Sequence, residues 1–212
     1  MEQYSTEEQQ AEALRRWMKS NGPSILIGIG LGLGLMFAIN RWQAWQLSSA
    51  EDASMQYASF QQTASGGDLA QVLAQSQRLR QDNADSAYAA FAAFSAAKLA
   101  LAATPADYNA AEAELLWVAE NSSVDGLQQI ARLRLARALL AKGDATAAQA
   151  QLNRSNTSSA FAALHAEVEG DIAVAKGELQ RAREAYTLAL AGQGNAPMLR
   201  IKLENLGVNP DS

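Results

Sequence analysis

The sequence predicts an all-α chain, a single N-terminal transmembrane helix followed by an α-solenoid of helical hairpins, and three observations predict it. Residues 25–39 are apolar or glycine without exception, which is the composition of a membrane span. Downstream, no period-two alternation competes with helical spacing, and the 49% hydrophobic content is rich in alanine while proline stands at four, so helix is favoured over strand. Finally, Lys142-Gly143-Asp144 returns 34 residues later as Lys176-Gly177-Glu178, the mark of a repeated unit.

The N-terminal arm, residues 1–22, comes first. Ser5 followed by Glu8 fits a capping box, in which the hydroxyl accepts from an orphan amide and the carboxylate reaches back. Ala11, Leu14, Trp17 and Met18 then recur at helical spacing, with Glu8, Glu12, Arg15, Arg16 and Lys19 pointing elsewhere. Asn21-Gly22-Pro23 is expected to end this helix, because glycine suits a left-handed cap and proline the first turn of the next helix. The arm reads as an amphipathic helix lying along the cytoplasmic interface, or as a contact for a cytoplasmic regulator.

Residues 23–42 form the expected span. Twenty positions make about 30 Å of helix, the hydrocarbon thickness of a bilayer. Trp17 on one side and Trp42 and Trp45 on the other sit where indole rings prefer to lie. A cleaved signal peptide fits less well, since Glu2, Glu7, Glu8 and Glu12 precede the core and no small-x-small site follows promptly. Arg15, Arg16 and Lys19 flank the N-terminal end against Arg41 alone on the other, which predicts a cytoplasmic N-terminus. For a bacterial inner membrane, residues 43–212 would then be periplasmic. Gly28, Gly30, Gly32 and Gly34 make two overlapping pairs four apart, either a docking face for a partner's transmembrane helix or the glycine ordinarily common in such helices.

Beyond the span, helices are expected at residues 45–63, 69–81, 86–103, 107–120, 124–141, 146–152, 159–175, 179–191 and 197–206, separated by clusters of Gly, Pro, Asn, Asp and Ser. The 34-residue offset is the tetratricopeptide period. Its register continues: Ala148 matches Ala182, Leu152 matches Tyr186, and Ala136 matches Gly170. Small residues let the two helices of a hairpin approach, and the large one fills the space between neighbouring repeats. Asp107, Ala111 and Leu115 stand as a weaker copy, offset by 37 from Asp144, Ala148 and Leu152. The helices before residue 103 are expected to form a further divergent pair over the open end. A helical bundle without repeats is the plainer alternative.

This layout resembles the YfgM family of ancillary subunits of the SecYEG translocon. The likeness rests on the amphipathic arm ending Trp17-Met18-Lys19-Ser20-Asn21-Gly22, the glycine-patterned span, Arg41-Trp42 after it, Leu133-Arg134-Leu135-Ala136-Arg137, and the stretch from Met198 to Leu206. The resemblance implies an inner-membrane protein with a periplasmic tetratricopeptide-like domain. Its implied partners are the SecYEG translocon and the periplasmic chaperone PpiD, with exported polypeptide chains as candidate clients. The alternative is a membrane-tethered structural or regulatory scaffold of another envelope complex.

Little points to chemistry. A net charge of −5 offers no field that would collect nucleic acid. The absence of cysteine removes disulfides, thiolate metal sites and a thiol nucleophile. His165 is the single histidine; Glu167, Glu169 and Asp171 nearby could be imagined as co-ligands, but scattered carboxylates lack the convergence a metal or acid–base site needs. No nucleophile elbow or nucleotide loop occurs, so no enzyme, cofactor or metal is expected. What remains is binding. Arg132, Arg134, Arg137, Arg181 and Arg183 could meet an acidic partner or be merely solvated. If the first helix of each pair faces a concave groove, that groove is expected to present Leu133, Arg137, Leu140, Glu167, Asp171 and Val174.

Overall fold

The computed structural model describes residues 7–155, 160–192 and 195–207, and the side chains of 7–9 and 46 are not among them. Nine helices and no strands are found among the described residues. The chain divides into two compact units, Met1–Glu51 and Asp52–Ser212, and each is taken by itself.

The first unit is formed by the opening turns of α1 (Glu7–Gly66), a helix of 60 residues. Here the structure corrects the expected breaks. No cap forms at Asn21-Gly22-Pro23 and no gap opens near residue 43; α1 runs through both, with Pro23 inside it. Gly22 does not enter the left-handed region, which among the described glycines is reserved for Gly67, Gly143, Gly177 and Gly207. The physical reason is that Pro23 removes only one amide donor, while an apolar backbone without solvent partners is best satisfied by continuing its own helix. Ser20 and Asn21 both donate side-chain hydrogen bonds back to the Trp17 carbonyl, at 3.1 and 3.0 Å, reinforcing this turn. Ser5 of the expected capping box lies outside the described residues.

The second unit begins with the last turns of α1 and continues through α2 (Leu69–Asp82), α3 (Ala87–Ala102), α4 (Tyr108–Asn121), α5 (Asp125–Lys142), α6 (Ala145–Arg154), α7 (Ala162–Ala175), α8 (Leu179–Ala191) and α9 (Ala196–Asn205). From α2 onward each helix packs on the next, and α3, α5 and α7 also meet in succession. This is a stack of hairpins: α3 with α4, α5 with α6 and α7 with α8, preceded by the end of α1 and α2, which share a cluster of Phe60, Val72 and Leu79, and followed by α9. The expected divergent pair is thus only the end of α1 and α2, because α3 belongs with α4.

The repeat is visible in the hydrogen bonds themselves. Asp144 N–H donates to the Leu139 carbonyl at 2.9 Å, and 34 residues on Glu178 N–H donates to Ala173 at 2.8 Å. Gly143 and Gly177 make the two turns at φ 94° and 76°, values that only glycine, which lacks a Cβ, adopts at little cost. The weaker copy holds too. Asp107 accepts from the Ala110 amide at 2.9 Å as Asp144 accepts from Ala147 at 2.8 Å, each satisfying an orphan donor of the helix it starts. Asp68 caps α2 in the same way through Gln71. Ala111, Leu115, Ala136, Ala148, Leu152, Ala182 and Tyr186, the repeat positions, are all buried.

Candidate functional site

Two surfaces stand out, one in each unit. In the first, the apolar segment of α1 lays its large side chains open: Leu26, Ile27, Leu31, Leu33 and Phe37 are all exposed, and a Cβ added at Gly28, Gly30, Gly32 or Gly34 would meet nothing within 4 Å among the described residues. The helix is long and apolar enough to cross a membrane. Gly28 with Gly32, and Gly30 with Gly34, leave two shallow strips on nearly opposite faces of the helix, on either of which another backbone could approach closely.

The second surface lies between α3 and α5, the first helices of two adjoining hairpins. A trough of about 540 Å³ runs between them, with Phe94, Leu115 and Ala138 on its walls and Lys98, Arg134 and Arg137 at its rim. Alanines give it low relief, because α3 buries seven of them against its neighbours and turns its larger side chains outward. The Arg134 guanidinium lies over the Phe94 ring, 4.7 Å from its centroid, a cation–π contact that holds both side chains in place across the two helices. Arg137 reaches the other way, to Glu167 of α7 at 3.2 Å.

From Glu167 a chain of polar contacts continues into the next hairpin. Lys202 of α9 lies 2.9 Å from Glu167 and 2.7 Å from Asp171, and the Tyr186 hydroxyl donates to Asp171 at 2.7 Å. Burial, then the hydrogen bond to Asp171 and the charges of Asp171 and Glu167, pushes the Tyr186 phenol well above its ordinary range. Tyr186 is therefore a neutral donor throughout the working pH range.

The residues expected in a groove are accordingly divided. Arg137, Glu167 and Asp171 are brought together by this network. Leu133 is only 4% exposed and belongs to the core, with Leu140 partly buried against the same cluster. Val174 is 41% exposed and stands apart from the trough. His165 lies on α7, and no group of histidine, cysteine and carboxylates able to hold a metal occurs among the described residues. Lys202, Phe94 and Lys98 were missed by sequence reasoning. Phe94 and Lys98 could have been found, since the spacing Phe91, Phe94, Lys98, Leu101 is one helical face in an otherwise alanine-rich run.

Comparison with known proteins agrees with this architecture. A family model described as a tetratricopeptide repeat-like domain matches residues 15–208. A Haemophilus influenzae protein named ancillary SecYEG translocon subunit is 34% identical over 208 residues, covering 94% of this chain and 97% of that protein. An Escherichia coli protein of the same name is 28% identical over 214 residues, covering 98% and 100%. No solved structure matches.

Proposed function

We propose a function from the premise that this chain belongs to the family of ancillary SecYEG translocon subunits with a tetratricopeptide repeat-like domain: it is a membrane-anchored adaptor of the protein-export channel. The observation that carries this reading is the joining, in one chain that matches those relatives end to end, of an uncovered apolar helix and a stack of hairpins. The helix confines the chain to the bilayer in which the channel lies. The hairpins, which present a side-chain surface and no convergent catalytic set among the described residues, suit binding of other polypeptides and not catalysis.

The finer reading follows from charge and resemblance. Arg15, Arg16 and Lys19 against Arg41 support a cytoplasmic N-terminus, so that residues 23–42 span the inner membrane and residues 43–212 face the periplasm. There the repeat domain would receive exported chains and pass them on in company with a PpiD-type chaperone. Gly28, Gly30, Gly32 and Gly34 would seat the span against a transmembrane helix of its partner. Arg137, Glu167 and Asp171 would contribute to the protein-binding side of the hairpins.

Purification of the intact chain in mild detergent, with identification of what accompanies it, tests the adaptor reading. SecY, SecE and SecG should be recovered in stoichiometric amounts, with the PpiD-type chaperone alongside. Recovery of a different envelope complex, with no channel subunit, would replace this reading by that of a scaffold elsewhere in the envelope.

A further inference from the structure

We propose that the trough between α3 and α5 binds a short segment of another polypeptide in which carboxylates flank an aromatic or aliphatic side chain. The inference deepens the adaptor reading and rests on it for the class of ligand, but its physical grounds lie in the trough itself.

Charge is the first ground. The chain carries a net −5, yet Lys98, Arg134 and Arg137 converge on this one trough and no carboxylate lines it. Among the described residues neither Lys98 nor Arg134 has a carboxylate partner, whereas Arg137 is already anchored on Glu167 at 3.2 Å. Cations gathered without compensation on an acidic protein make a local potential that selects acidic partners. The stacking of Arg134 on Phe94 at 4.7 Å leaves the edge of the guanidinium open. That edge carries the paired donors that match a carboxylate.

Shape is the second ground. About 540 Å³ accommodates one or two side chains, and the floor offers Phe94, Leu115 and alanines to an apolar anchor. Leu101 lines one end of the trough, and the exposed face of α3 continues past the other end to Phe91, which keeps 40% of its surface exposed. From Phe91 to Leu101 the helix rises about 15 Å, the length of roughly four to five residues of extended peptide. Low relief at Ala97, Ala138 and Ala141 lets such a backbone lie close. Three cations are too few, on a chain of this net charge, to hold a phosphate polymer or an anionic membrane in preference.

The test uses the full chain in nanodiscs and fluorescence anisotropy with a labelled octapeptide containing Asp-Phe-Glu-Leu. One control peptide has its carboxylates replaced by lysine, and a second has Phe and Leu replaced by serine. Saturable binding of the first peptide is expected, with both controls weaker by roughly tenfold or more. Lys98→Glu and Arg134→Glu should each weaken binding by roughly tenfold or more, the first at an unchanged thermal midpoint and the second with only the small lowering that loss of the contact with Phe94 brings. Equal binding of the lysine peptide, indifference to both substitutions, preference for an anionic oligonucleotide or vesicle, or no binding at all overturns the proposal. A chain that carries the channel through purification yet ignores all three peptides sinks the trough alone. Peptide binding by a chain that carries no channel subunit sinks the adaptor reading alone.

Discussion

Gly170 on α7 lies directly against the ring of Tyr186 on α8, so closely that a Cβ at position 170 would overlap the ring carbons. The ring cannot swing away freely, because its hydroxyl is tied to Asp171 at 2.7 Å and its body is buried in the cluster with Ala166, Ala182 and Leu199. This is the small-against-large contact of the repeat in its tightest form, one helix of the hairpin giving up a side chain so that the other can keep a large one.

Gly170→Ala is therefore expected to destabilise the repeat domain. Alanine in a helix interior is favoured over glycine by about 1 kcal/mol, but overpacking a filled site costs roughly 1–3 kcal/mol, and the overlap here is with a ring held at both ends. A lower midpoint in thermal melts of the full chain in detergent, partly restored by adding Tyr186→Leu, is the expected outcome. A raised midpoint would mean that the ring gives way.

The repeat, then, was legible in the sequence because its turns and small positions are obligations of geometry: Gly143 and Gly177 at positive φ, Ala136 and Gly170 where helices approach. The continuity of α1 through Pro23 was not legible, because cap signals weigh the alternatives that water offers to a backbone, and an apolar run has fewer. The face of α3 was obscured by alanine, which counts as apolar and hides the spacing of Phe94 and Lys98. The link from Lys202 to Glu167 and Asp171 joins positions 35 and 31 residues apart. No local pattern announces it.

The polar contact between α2 and α4 makes a pH prediction. Glu114 accepts from Ser76 Oγ at 2.7 Å and from Arg80 at 2.8 Å, and burial pushes its carboxyl up more than the Ser76 hydrogen bond and the Arg80 charge pull it down. Arg80→Ala leaves this carboxylate without its cation, at a cost of about 3 kcal/mol at neutral pH. The folded carboxyl then binds its proton more tightly than the unfolded one. Stability of the variant accordingly falls as pH rises from the unfolded value of about 4.3 through the folded one. Melts of both chains at about pH 4.5 and about pH 7.5 should show the larger deficit at the higher pH. Equal deficits would assign the loss to packing of Arg80 over Trp117 instead.

Lys202 is the tether of α9. It bridges Glu167 and Asp171 of α7 and lies 5.3 Å from the Tyr186 ring centroid, so Lys202→Ala takes one partner from each of two carboxylates, leaving Glu167 to Arg137 and Asp171 to Tyr186. Because these groups are partly buried, the expected cost is about 1.5–3 kcal/mol. It should be local. Amide exchange should quicken in α9 and the end of α7 and stay unchanged in α3 and α4; uniform quickening would mean that α9 holds the whole stack.

The glycine strip of the span makes the last prediction, which separates anchoring from recognition. Gly28→Leu with Gly32→Leu adds apolar surface where no atom lies within 4 Å, so the helix itself is not strained and its preference for the bilayer rises. What changes is the distance of approach, since two leucines hold a second backbone several ångströms further away than two hydrogens do. The variant should fractionate with the membrane as the parent does, while channel subunits recovered in mild detergent fall roughly tenfold. Leu31→Ile with Leu33→Ile serves as the control, because it keeps volume and apolarity and leaves the strip bare. Undiminished recovery with the leucine pair in place would show that the partner does not dock on the face of Gly28 and Gly32, and undiminished recovery with Gly30→Leu and Gly34→Leu as well, on the opposite face, would return all four glycines to the background abundance of glycine in membrane helices.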